Sequence, residues 1–85
     1  MSIELLRKKI DRLDEQILKL LSERAVYALE IGKEKNNNNL SILSEEREQQ
    51  IIENLLRSNS GPLCSDDIRA IFMEIITACR KVQQP

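Results

Sequence analysis

The chain has 85 residues, of which 41% are hydrophobic and 32% charged, with a formal net charge of −1. That balance suits one folded, soluble domain, argues against a disordered chain, and offers no overall attraction to nucleic acid or to an anionic membrane. A single Tyr, a single Phe, no Trp and no His leave no stacking platform for single strands, no zinc site and no triad of the Ser-His type. No apolar run approaches the ~20 residues of a membrane span, and nothing resembles a signal peptide.

Ile3 to Lys35 reads as one long helix. Ile3, Leu6, Ile10, Leu13, Ile17 and Leu20 recur in steps of three and four, which places one apolar stripe on one face. The same stepping then meets Arg24, Tyr27 or Ala28, Ile31 and Lys35. Two cations therefore stand where a coiled-coil seam would keep apolar residues. Such a helix is roughly 50 Å long, whereas ~30 Å spans a small domain, and a lone chain of this size buries only ~60% of its unfolded surface. A second copy lying along the helix is expected. Ser2 is expected to cap it, and Asn36 to Asn39 to form a plain loop.

Ser44 followed by Glu45 and Glu46 marks a second helix over 44–57, with Ile51, Ile52, Leu55 and Leu56 inward. Arg47 in its first turn opposes the dipole, and a surface pair with a neighbouring glutamate would account for it. After the turn cluster Ser58 to Pro62, a third helix is expected over 65–83, opened by Ser65-Asp66-Asp67. Its stripe is Ile68, Ile71, Phe72, Ile75 and Ile76, continuing to Cys79 and Gln83. Gln83, polar on a buried line, fits either a frayed end or a site. Cys64 and Cys79 have no metal-ligand spacing and read as reduced thiols of a cytoplasmic protein.

A buried guanidinium at Arg24 costs several kcal/mol without a counter-charge. A structural carboxylate, an escape to solvent or an anionic ligand would each offset it. Lys35 lies within ~20° of the same face and roughly 16 Å further along, so the two cations could clasp a small polyanion. With no Gly-rich phosphate loop and no dinucleotide fingerprint, an enzyme made of Arg, Lys, Glu and Gln would work by positioning and electrostatics.

Several runs together resemble the all-helical class of chorismate mutases across essentially the whole chain. They are Leu6-Arg7-Lys8-Lys9-Ile10-Asp11-Arg12-Leu13-Asp14, Leu21-Ser22-Glu23-Arg24, Ile31-Gly32-Lys33-Glu34-Lys35, Arg47-Glu48, and the final helix from Phe72 to Gln83. The ending, Ala78-Cys79-Arg80 and Gln83-Gln84-Pro85, is most similar to the mutase module at the N-terminus of bifunctional mutase/prephenate dehydratase proteins, and suits an excised module.

The resemblance implies an all-α fold with one domain over 1–85, its three helices forming an intertwined homodimeric bundle. It implies an isomerase that rearranges the dianion chorismate to prephenate, with no cofactor and no metal. Residue by residue, it implies that Arg24 and the partner's Arg7 bind the two carboxylates and that Arg47 borders the site. Lys35 would bind a carboxylate and the ether oxygen, Glu48 would accept the substrate hydroxyl, and Gln83 would donate to the ether oxygen from the opposite side. Ser44 stands where relatives often have Asp, and Cys79 where some have Ser; both remain substrate-binding candidates, although a thiol is a weak donor.

Spacing agrees with a shared site. Arg7 lies seventeen residues, or roughly 25 Å, from Arg24 along one helix, too far to share a small ligand within one chain. An antiparallel two-fold pairing would bring Arg7 of one subunit towards Arg24 of the other. Two other functions suit the same fold: an isochorismate pyruvate lyase with a similar cationic pocket, and a non-catalytic metabolite-binding dimerisation module.

Overall fold

A computed structural model describes residues 2–83 as three helices, α1 (Ile3–Asn37), α2 (Glu45–Ser58) and α3 (Ser65–Gln83). Side-chain caps start the first two. Ser2 Oγ accepts from the Leu5 N–H at 3.1 Å, and Ser44 Oγ accepts from the Arg47 N–H at 3.2 Å. Ser44 thus stands just outside α2, and the helix runs one residue past Arg57.

The end of α1 departs from the expected plain loop. Asn36 and Asn37 are helical, and the turn comes at Asn39, whose φ is 57°. The Leu40 N–H donates to the Lys35 carbonyl at 2.7 Å and the Asn39 N–H to the Asn36 carbonyl at 3.3 Å. These two bonds make a Schellman motif, which satisfies carbonyls that the last turn of a helix leaves open. Asparagine enters the left-handed region at less cost than most residues, so the Asn run finishes the helix and turns the chain.

α3 lies against both α1 and α2, while α1 and α2 do not approach each other closely. The small core follows from this arrangement. Ala28, Ile52, Ile76 and Cys79 are buried, as is Gly32. On α2 the expected inward residues Ile51, Leu55 and Leu56 are half-buried around Ile52; on α3, Ile71 departs from its stripe and is 46% exposed. Of the two residues that competed for the seam of α1, Ala28 turns inward and Tyr27 outward.

Only the second half of α1 is covered. Every residue from Ile3 to Leu20 is exposed, in a molecule whose extents are 55 × 23 × 15 Å. The stripe of Ile3, Leu6, Ile10, Leu13, Ile17 and Leu20 is left between 41% and 65% exposed. Among the described residues, no helix is long and apolar enough to cross a membrane.

Candidate active site

α3 supplies the wall on which the site is built. Ile76, Cys79, Arg80 and Gln83 recur at i, i+3, i+4 and i+7 and so share a face. With Arg24, Ile31 and Lys35 of α1, and Ser44, Arg47 and Glu48 at the start of α2, they line a cleft of about 230 Å³. Seven of the eight residues singled out from the sequence therefore meet: Arg24, Lys35, Ser44, Arg47, Glu48, Cys79 and Gln83. Arg7 does not; it is exposed on the uncovered half of α1.

Each polar group has a distinct setting. Lys35 is half-buried and its Nζ donates to the Ile42 carbonyl at 3.0 Å, which folds the α1–α2 loop back over it. An ammonium has three N–H groups, so two remain for a ligand. Arg24 is half-buried, and among the described residues no carboxylate lies within ion-pairing distance of it. The structural carboxylate considered for it is not found among the described residues. Arg47 is exposed, and its Nη1 donates to Gln50 Oε1 at 2.8 Å, an amide in place of the expected glutamate.

Gln83 is half-buried, not frayed, and closes against Gly32, whose missing side chain admits the end of α3. Cys79 is a buried free thiol; Cys64 is exposed, and its Sγ donates to Asp67 Oδ2 at 3.1 Å.

Arg80 was not singled out from the sequence. Its Nη1 donates to Glu48 Oε2 at 2.6 Å, the one ion pair among the described residues, and ties α3 to α2. The signal for it was present, since Arg80 is one helical turn before Gln83 on the stripe that also carries Ile76.

Four cations, Arg24, Lys35, Arg47 and Arg80, thus share the cleft with one carboxylate, Glu48. Such an excess of one sign between low-dielectric walls favours a small polyanion. The volume falls below the roughly 300–1,000 Å³ of pockets that take drug-sized ligands, which suits a small metabolite. No group of three or more Cys, Asp or Glu side chains among the described residues is arranged to hold a metal ion.

Fold and cleft together define an all-helical protein whose three helices share one cationic cleft. Residues 6–84 match the family described as chorismate mutase type II, and the chain belongs to that family. It is 45% identical over 83 residues to the bifunctional chorismate mutase/prephenate dehydratase of Aquifex aeolicus, a match covering 93% of this chain and 23% of that protein. It is 40% identical over 79 residues to the chorismate mutase of Methanocaldococcus jannaschii, covering 93% of this chain and 80% of that one. The solved structure of chorismate mutase (form II) from Thermus thermophilus superposes with a TM-score of 0.94 at 36% identity, over 95% of this chain and 92% of that one. The chain spans about a quarter of the length of the bifunctional relatives it matches. The family resemblance read from the sequence, and the three-helix all-α fold it implied, are borne out.

Proposed function

We propose that this chain is a chorismate mutase, rearranging chorismate to prephenate in aromatic amino-acid biosynthesis, and that it acts as an intertwined homodimer. The observation that carries this reading is the convergence of Arg24, Lys35, Glu48 and Gln83, from three helices, on one cleft of a chain in this family.

The reaction is unimolecular: one carbon–oxygen bond breaks as one carbon–carbon bond forms, with no proton transfer, nucleophile or cofactor. Its barrier falls when the dianion is held in a compact, chair-like conformer and donors meet the negative charge growing on the ether oxygen. Arg24 binds one carboxylate and Arg7 of the partner subunit the other. Lys35 has two N–H groups to spend, one on a carboxylate and one on the ether oxygen, and the Gln83 amide donates from the opposite side. Glu48 accepts the substrate hydroxyl, and Arg47 borders the site. Ser44 Oγ already accepts the capping bond from Arg47, so it meets the substrate as a donor, and Cys79 adds a weak one. A rate gain of ~10⁶ needs about 8 kcal/mol, and each preorganised donor supplies about 3–4 kcal/mol. Two or three suffice.

The exposed seam supports the dimer. Covering the open half of its six apolar side chains contributes about 1 kcal/mol each, and Arg7 sits on the same uncovered half of α1. A copy that covers the seam carries its Arg7 towards Arg24. The free thiols suit the cytoplasm, and the reading involves neither nucleic acid nor membrane.

The test is the loss of chorismate absorbance with purified protein beside an Arg24→Ala control. Turnover that vanishes in the control is expected. Release of pyruvate from isochorismate, with chorismate untouched, would replace the mutase reading by the lyase.

A further inference from the structure

Arg80 stands apart from the other cations of the cleft. Arg24, Lys35 and Arg47 have no carboxylate within ion-pairing distance among the described residues, whereas Arg80 is engaged with Glu48. The pair is largely covered, with side-chain exposures of 28% for Arg80 and 17% for Glu48, and it joins positions 32 residues apart. At 2.6 Å it is a short, charge-assisted contact.

What the contact does follows from the side chains it joins. A glutamate one turn into α2 has three side-chain torsions and solvent beside it, so its carboxylate has no fixed direction of its own. Arg80 takes hold of one oxygen, Oε2, from the neighbouring helix. Among the described residues Oε1 accepts no hydrogen bond, and it keeps its capacity for a hydroxyl. Because its charge is matched by Glu48, Arg80 adds less attraction for a dianion than Arg24 or Lys35.

We infer that Arg80 is a positioning residue for the rearrangement: it holds Glu48 through Oε2 so that Oε1 meets the substrate hydroxyl, and it does not itself bind the carboxylates of the dianion. This rests on the chorismate reading and extends it to a side chain that reading leaves without a role.

The test is a double-mutant cycle on the 85-residue chain, with kcat and KM for chorismate measured for wild type, Arg80→Ala, Glu48→Gln and the double variant, and with Arg80→Lys alongside. Arg80→Ala is expected to lower kcat/KM about tenfold or more. In the Glu48→Gln background the same change is expected to cost little, since no carboxylate remains to be held. Arg80→Lys is expected to recover most of the loss, because an ammonium also holds one carboxylate oxygen.

A penalty that persists undiminished in the Glu48→Gln background, chiefly in KM, would make Arg80 a direct ligand of the substrate and overturn the inference. A lowered melting temperature with kcat/KM intact in the folded protein would make the pair merely structural, and would overturn it too. If Arg80→Ala does not fold, the cycle is run with Arg80→Gln, which keeps the bulk and removes the charge. A wild-type chain that leaves chorismate unchanged overturns the underlying reading and this one with it. Wild-type turnover with independent penalties overturns only the role of Arg80.

Discussion

Gln83 closes directly on Gly32: a Cβ at residue 32 would stand 2.9 Å from the Gln83 Cβ, 3.0 Å from its Cα and 3.1 Å from its Cγ. These atoms are the root of the side chain and the backbone, so no change of rotamer relieves the contact. Gly32→Ala gains about 1 kcal/mol of helix propensity but overpacks the α1–α3 contact at a cost of about 1–3 kcal/mol. The second effect prevails, because the end of α3 must move. The melting temperature is expected to fall by several degrees, at about 4–8 °C per kcal/mol for a domain of this size. The displaced Gln83 amide is expected to lower kcat about tenfold or more. A thermal melt with steady-state kinetics checks both; a more stable variant with unchanged kcat would show that α3 has room to spare.

Arg24 is half-buried and lacks a carboxylate partner among the described residues, so its charge is a liability until a ligand arrives. Arg24→Leu is expected to abolish turnover, a loss in kcat/KM of at least about 100-fold, while leaving the unliganded protein as stable as wild type or more so. Melting curves without ligand decide this, and a large drop in midpoint would mean that Arg24 has a structural partner.

The shared site has an arithmetic signature. Arg7→Ala and Arg24→Ala are each expected to be nearly inactive as homodimers. Mixed after unfolding and refolding together, they form heterodimers in which one site keeps both arginines and the other loses both. Random pairing then restores about a quarter of wild-type activity. A mixture no more active than its components would place Arg7 outside the site.

No histidine is present in the chain, and the Gln83 amide does not titrate. The wild-type kcat is expected to be roughly flat between about pH 5.5 and 8.5. In Gln83→Glu only the protonated carboxyl donates to an ether oxygen, so its rate is expected to fall as pH rises through the carboxyl pKa. A wild-type profile that collapses above neutral pH would remove Gln83 from the ether oxygen.

The three helices were legible because their apolar residues repeat every three or four positions, and the starts of α2 and α3 because Ser44 and Ser65 are followed by acidic residues. The end of α1 was not. Low propensity in Asn36 and Asn37 argues for a loop, but an established helix propagates at little cost per residue until something stops it, and here Asn39 does. The cations Arg24 and Lys35 could be found because they interrupt an apolar seam. Arg80 follows the buried Cys79 on a face whose polar end had already been ascribed to Gln83, and its partner lies on another helix, which no periodicity reveals. Gly32 carries a signal of its own: a glycine inside a helix weakens it by about 1 kcal/mol relative to alanine, and that cost calls for a reason. The reason is the tight contact with Gln83, visible only once α3 is laid against α1.

Among the described residues, α2 and α3 leave every residue from Ile3 to Leu20 exposed. In the dimer proposed above the cover for this apolar stripe comes by encounter, so the last step of folding is bimolecular. The denaturation midpoint of such a protein rises with protein concentration. Specific activity measured at ever greater dilution declines as half-sites lose their second arginine. Stability and catalysis are then properties of the solution as much as of the chain.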